Sequence, residues 1–361
     1  MGYHCFQIPN AGYLEEKMPK DFWPKSTVVV LGGGSWGTGL AQLIAPQVHS
    51  VRLWMRDEEA ARGINSTRSH PRFPEYSSLH PRILAISEIE RAFEQGVQAV
   101  IWALPSKVTR EVARRIAKHF RGDEILIHAT KGVEEDTLKR MSVVLTEELP
   151  LIRVGVLSGP NLAGEIAAGK PAATVIASAY AEVCEAGRMM LTNPNFRVYS
   201  DRDVIGVEWA GTLKNVLAIA SGIADTLDLG WNTRSLLITR GLAEMVRFGV
   251  AMGAQAGTFL GLAGVGDLLA TCGSSQSRNY RVGQGLAQGK TLTEILQTLG
   301  STAEGVRTAQ SVFHFSREMG IEMPITEAVC ALLEGERNVR EVLKELMTRP
   351  QVSDRTWLSK V

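Results

Sequence analysis

Thr27-Val28-Val29-Val30-Leu31-Gly32-Gly33-Gly34-Ser35-Trp36-Gly37-Thr38-Gly39-Leu40-Ala41 is the stretch whose reading decides the fold. Its first five residues are β-branched or apolar without alternation, as a strand covered on both faces requires. Glycines then interrupt the run. Over 37–44 small and apolar residues return at helical spacing, with Leu40, Ala41 and Ile44 on one face. Strand, G-x-G-x-x-G turn and helix in that order open a dinucleotide-binding β-α-β unit. Val51-Arg52-Leu53-Trp54 closes the unit as its second strand. In such a unit Gly32 permits the tight turn, Gly34 lets a diphosphate approach the backbone, and Gly37 lets the helix lie close to the sheet. The helix N-terminus offers free N–H groups and the positive end of its dipole to the phosphates. The end of the second strand bears on which dinucleotide binds. An acid there bonds the adenosine ribose of NAD, whereas an arginine suits the extra phosphate of NADP. The chain reads Trp54-Met55-Arg56-Asp57, so Arg56 favours NADP(H), and Asp57 leaves NAD(H) open.

Outward from this unit, strand and helix signals keep alternating. Ala99-Val100-Ile101-Trp102-Ala103, Glu124-Ile125-Leu126-Ile127-His128, Val154-Gly155-Val156-Leu157 and Ala173-Thr174-Val175-Ile176-Ala177 read as strands. Helical patterns lie over 108–120, 136–149 and near 162–168. After about residue 200 the strand signal nearly vanishes, and 204–227, 236–253, 292–299, 306–319 and 325–333 are helix-like. The expected fold is therefore α/β: an N-terminal Rossmann doubly wound sheet over 26–200, then an all-α C-terminal domain over 201–361. Residues 1–25 form an extension, expected to be poorly ordered or packed on the surface. They lack the apolar stretch of a secretory signal.

Composition excludes several classes. The 361 residues are 45% hydrophobic and 21% charged, with a net charge of +1. Nothing global points to nucleic acid, and no apolar run reaches the length of a membrane span. Cys5, Cys184, Cys272 and Cys330 are scattered, without zinc spacing or a disulfide pattern. No metal is expected, and the cytoplasm is the expected compartment.

Chemistry-bearing residues recur where strands end and where the helical half begins. Lys214, flanked by Leu213, Val216 and Leu217, is costly to bury unless it has a partner or a role, and desolvation would make it a usable general base. Lys131 follows the strand ending at His128, on the ligand-binding edge of the sheet. Ser158-Gly159-Pro160-Asn161 follows the next strand. Asp267 comes after Gly264-Val265-Gly266, and Ser277-Arg278-Asn279 offers a guanidinium fork and amides suited to a phosphate. Each has an ordinary alternative: a lysine reaching out to solvent, a turn, a helix cap, a surface charge.

Taken together, these motifs resemble NAD(P)-dependent glycerol-3-phosphate dehydrogenase, most closely the bacterial type. The resemblance runs from about residue 26 to 340. It rests on Ser35-Trp36-Gly37-Thr38, Ala129-Thr130-Lys131-Gly132, Leu157-Ser158-Gly159-Pro160, Gly211-Thr212-Leu213-Lys214-Asn215-Val216, Gly264-Val265-Gly266-Asp267-Leu268 and Gln276-Ser277-Arg278-Asn279. Ile238-Thr239-Arg240-Gly241 and Glu322-Met323-Pro324-Ile325-Thr326 agree as well. The resemblance implies reversible reduction of dihydroxyacetone phosphate to sn-glycerol 3-phosphate, which feeds phospholipid synthesis. Lys214, Lys131 and Asp267 would be catalytic. Gly159, Asn161, Asn215 and Thr271 would line the substrate, and Ser277, Arg278 and Asn279 would hold its phosphate. Gly32, Gly34, Ser35, Trp36, Gly37, Arg56, Lys131, Ala163, Arg278, Thr302 and Glu304 would touch the cofactor. A homodimer is expected. Asn161-Leu162-Ala163 departs from the family, which usually has Ser or Thr before Phe-Ala. Two alternatives remain on this reading: a two-domain dehydrogenase for another hydroxy acid, and a non-catalytic dinucleotide-binding regulator.

Overall fold

The computed structural model describes residues 22–94, 96–299 and 303–350. Eight strands form one sheet: β1 (Thr27–Leu31), β2 (Ser50–Trp54), β3 (Ile83–Ile86), β4 (Ala99–Trp102), β5 (Ile125–His128), β6 (Val154–Ser158), β7 (Ala172–Ala177) and β8 (Phe196–Asp201). Their order is β3-β2-β1-β4-β5-β6-β7-β8. Strands β1 to β6 run parallel, β7 is antiparallel to β6, and β8 is parallel to β7. Six helices accompany the sheet: α1 (Ser35–Ile44), α2 (Glu58–Thr67), α3 (Ser106–Ile116), α4 (Met141–Glu148), α5 (Ala163–Ala167) and α6 (Ala181–Leu191). From Val204 onward the described residues contain no strand. They form α7 (Val204–Thr226), α8 (Gly230–Ala251), α9 (Asp267–Cys272), α10 (Arg278–Ala287), α11 (Leu292–Leu299), α12 (Glu304–Glu318), α13 (Pro324–Leu333) and α14 (Val339–Thr348). This is the expected Rossmann sheet followed by helices.

The period of two in β1 sorts its side chains to opposite faces. Val28 and Val30 pack with Leu40 and Ile44 of α1 and Met190 of α6, whereas Val29 and Leu31 pack with Ile116 of α3 and Leu145 of α4. Both faces are covered, which explains the unbroken apolar run. In the helical half, α7 is buried around most of its circumference and carries two further cores. Its approach to α10 is unusually close. A Cβ on Gly222 would stand 2.0 Å from the Tyr280 carbonyl oxygen, and one on Gly283 would stand 1.9 Å from that of Ile219.

Several expectations shift on contact with the structure. The helix expected over 136–149 begins only at Met141, because residues 133–140 make a turn closed by a bridge between Val133 and Arg140, with Leu138 at φ +53°. Trp23 lies within the expected extension yet is 1% exposed and packs into the sheet core. Strands β3 and β8 give no clear strand signal in the sequence. They lie at the two edges of the sheet and are part exposed, so their sequences lack the continuous apolar run of the central strands. Cys184, Cys272 and Cys330 are buried free thiols. No helix among the described residues is long and apolar enough to cross a membrane.

Candidate active site

Because β1, β4, β5 and β6 are adjacent and parallel, their carboxyl ends share one edge of the sheet. The glycine loop follows β1 on that edge. Gly32 adopts φ +120°, and a Cβ there would stand 2.6 Å from the Ala103 carbonyl oxygen. A Cβ on Gly37 would stand 1.8 Å from the Gly32 oxygen, so the start of α1 lies directly on the turn. Gly34 is different: nothing stands within 4 Å of its Cβ position. No side chain caps the N-terminus of α1. Exposed backbone, open space and an uncapped helix start together fit a dinucleotide diphosphate.

A segment the sequence did not single out crosses this loop. His70 is buried with Nε2 3.1 Å from the Gly33 carbonyl oxygen, and burial lowers its pKa against the opposing pull of that carbonyl. Ser35 donates to Glu75 at 2.9 Å, and the Tyr76 hydroxyl donates to the Ala163 carbonyl at 3.4 Å. Burial pushes the Tyr76 phenol up to about 12. Residues 69–80 lack periodicity, so only their contacts reveal them. At the end of β2, Arg56 is exposed, and Asp57 caps α2 by accepting the Ala60 N–H at 2.9 Å.

A cluster of charge lies on the same edge of the sheet. Lys131 enters from the loop after β5, Lys214 from α7, and Asp267 and Thr271 from α9. The Asp267 carboxylate bridges both lysines: Oδ2 is 2.5 Å from Lys131 Nζ and Oδ1 is 3.0 Å from Lys214 Nζ. Lys214 also donates to Thr271 Oγ1 at 2.5 Å, and Lys131 to the Gly159 carbonyl at 3.1 Å. Asn215 donates to the Lys131 carbonyl at 3.3 Å. Lys214 is 5% exposed and Asp267 2%. Burial pulls the Lys131 pKa down to about 8; Lys214 pushes the same way and Asp267 opposes. Asp267 caps nothing. It is the first residue of α9, set there by the wide π-helical turn Leu262–Gly266 that precedes it. Two ammonium groups against one carboxylate leave a surplus of positive charge in a desolvated place.

Beyond the cluster, Glu304 at the start of α12 accepts the Ser106 N–H of α3 at 3.4 Å. Burial raises its pKa, opposed by that N–H and by the charges of Arg278, Lys214 and Lys131. Arg278 thus belongs to the same electrostatic neighbourhood and is itself exposed. Three residues that the resemblance assigns to the substrate also serve the fold. Asn161 donates to the Ala173 carbonyl at 3.0 Å and accepts from Thr174 at 2.9 Å. Ser277 caps α10 through the Tyr280 N–H, and Asn279 accepts the Gly305 N–H at 3.0 Å near the start of α12. Thr302 lies outside the described residues. Among those residues no group of three His, Cys, Asp or Glu side chains is placed to hold a metal.

Known proteins resemble this chain in sequence and in fold. Residues 27–184 match the model of the NAD-dependent glycerol-3-phosphate dehydrogenase N-terminus, and residues 203–344 match that of its C-terminus. The chain belongs to this family. A glycerol-3-phosphate dehydrogenase [NAD(P)+] of Pseudomonas paraeruginosa is 46% identical over 320 residues, covering 89% of this chain and 94% of that one. The crystal structure of glycerol-3-phosphate dehydrogenase from Coxiella burnetii superposes with a TM-score of 0.84 at 35% identity, covering 90% of this chain and 99% of the other. A ketopantoate reductase from Ralstonia eutropha shares the fold alone, with a TM-score of 0.57 at 17% identity over 89% of this chain and 99% of its own. A nicotinamide dinucleotide is therefore the cofactor class of this dehydrogenase family.

Proposed function

We propose that the protein interconverts dihydroxyacetone phosphate and sn-glycerol 3-phosphate, uses NADPH in preference to NADH, and supplies phospholipid synthesis in the cytoplasm as a homodimer. The observation that carries this reading is the buried Lys131–Asp267–Lys214 bridge on the edge of the sheet that bears the glycine loop. When bound, the reduced nicotinamide supplies the hydride for the ketone carbon. Lys214 gives its proton to the carbonyl oxygen, and Asp267 with Thr271 fixes the ammonium in line for that transfer. Lys131, held by Gly159 and Asp267, adds positive charge where the oxygen becomes negative. Arg278 grips the phosphate, and this remote binding orients the reacting end. The residues that would hold the dinucleotide are Gly32, Gly34, Ser35, Trp36, Gly37, Ala163, Thr302 and Glu304. Arg56, exposed at the end of β2, supports the NADP preference, as does the capping role that occupies Asp57. The test is a purified-enzyme assay with dihydroxyacetone phosphate and each reduced cofactor, followed by loss of nicotinamide absorbance. Turnover with NADPH at the higher kcat/KM is expected. No turnover with either cofactor would overturn the reading, and a preference for NADH would overturn the role given to Arg56.

A further inference from the structure

Glu208 lies outside every motif used so far and is 6% exposed. It sits on α7, ahead of Lys214. Its Oε1 accepts the Ser142 N–H at 2.8 Å, and its Oε2 accepts the Ser142 hydroxyl at 2.6 Å and pairs with Arg140 Nη1 at 2.5 Å. His128 Nε2 lies 3.2 Å from Oε1. The two are not hydrogen-bonded, so His128 is a close polar neighbour of the carboxylate. His128 is the last residue of β5, and Arg140 immediately precedes α4. One carboxylate on α7 therefore grips the far end of the loop that carries Lys131, at Arg140 and Ser142, and stands beside its near end at His128.

Helical geometry places this grip in register with the cluster. Glu208, Gly211 and Asn215 follow one another at i, i+3 and i+7, on one stripe of α7. All three face the same loop and its neighbour: a Cβ on Gly211 would stand 2.8 Å from Ser158 Oγ and 3.6 Å from Lys131 Cγ, and Asn215 holds the Lys131 carbonyl. Lys214 lies about 9 Å along the helix axis from Glu208. The loop is held to the sheet half where Thr130 donates to the Leu104 carbonyl at 2.7 Å and Arg110 pairs with Glu134 at 2.5 Å, and to α12 through an exposed pair of Arg307 with Glu135 at 3.1 Å; the Glu208 contacts are the buried tie from its far end to α7. Burial alone would raise the Glu208 carboxyl; His128, Arg140 and Ser142 outweigh it and hold the group down at about 2. A buried charge of this kind is a poor source of net stability and a good source of fixed geometry.

We infer that Glu208 is a positioning residue, which sets the separation of Lys131 and Lys214 by clamping the Lys131 loop to the Lys214 helix. The inference rests on the role proposed above for Lys214. Glu208→Gln removes the charge and keeps the size. At a temperature where the variant is folded, kcat with dihydroxyacetone phosphate should fall about 10²-fold, the cost of a misplacement of about 1 Å. KM and the cofactor Kd, measured by calorimetry, should change far less. A folded Glu208→Gln enzyme with wild-type kcat would overturn the inference. If that variant does not fold, Ser142→Ala decides: reduced kcat with unchanged cofactor Kd supports the clamp, and a lowered Tm with wild-type kcat overturns it. Wild-type enzyme inactive on dihydroxyacetone phosphate would instead overturn the proposed function.

Discussion

At the glycine loop, the features that suit an anion are absences: no Cβ at Gly34, no side-chain cap on α1, and open space at the Gly34 Cβ position. At the lysine cluster the features are pairings, two lysines sharing the Asp267 carboxylate. The first region is built by one local run of sequence and presents backbone dipoles. The second is assembled from side chains of three separate segments, the loop after β5, α7 and α9, and holds them in a fixed arrangement. A loop of the first kind serves binding and says little about chemistry. A cluster of the second kind serves proton transfer, because the partners that fix a lysine also set its pKa.

The contrast predicts that the two regions fail separately. The largest effect is expected from Lys214→Ala, which should lower kcat by about 10²–10⁴-fold, the usual worth of general acid–base help. Its cofactor Kd should stay at the wild-type value. Near-normal turnover would remove Lys214 from the mechanism. Gly34→Val should do the reverse. Nothing lies within 4 Å of the added Cβ and the backbone there is extended at φ −78°, ψ 174°, so Tm should hold. Dinucleotide Kd should weaken by about tenfold or more, one to two kcal/mol. Unchanged Kd would mean that the diphosphate lies elsewhere.

A smaller effect sharpens the electrostatics of the cluster. The groups facing Lys131 are Asp267, Lys214 and Glu304, and together with burial they place its pKa at about 8. Below that pH its ammonium is charged, and above it the charge is lost. The kcat/KM for reduction should therefore fall as pH rises through about 8. In Lys131→Arg, whose charge persists, that limb should vanish. A limb that survives in the arginine variant would assign it to another group.

The legibility of the two regions follows from the same contrast. The turn after β1 is contiguous, so Gly32, Gly34 and Gly37 announce the β-α-β unit without any tertiary information. Lys131 and Asp267 are 136 residues apart, and no local pattern reveals that they meet. The resemblance to a family named both, but the bridging of two lysines by one carboxylate is visible only in three dimensions. Glu208, His70 and Glu75 escaped because their roles depend on contacts between elements rather than on spacing. Asn161, Ser277 and Asn279 show that one side chain can answer to both kinds of demand. The resemblance assigns their amides and hydroxyl to the substrate, and in the fold Asn161 holds Thr174 of β7, Ser277 caps α10 and Asn279 holds the Gly305 N–H of α12. Edge strands β3 and β8 carry no clear pattern for a physical reason, since a partly exposed strand has a weaker apolar signal than one covered on both faces.

The central claim is that the positive cluster and Arg278 hold a phosphorylated ketone for reduction. It is tested most directly by the ratio of kcat/KM for dihydroxyacetone phosphate to that for unphosphorylated dihydroxyacetone, with the same reduced cofactor and wild-type enzyme. The account predicts a preference on the order of 10²-fold or more for the phosphate ester, from charge-assisted contacts that only the ester can make. Equal activity on the two ketones would contradict it.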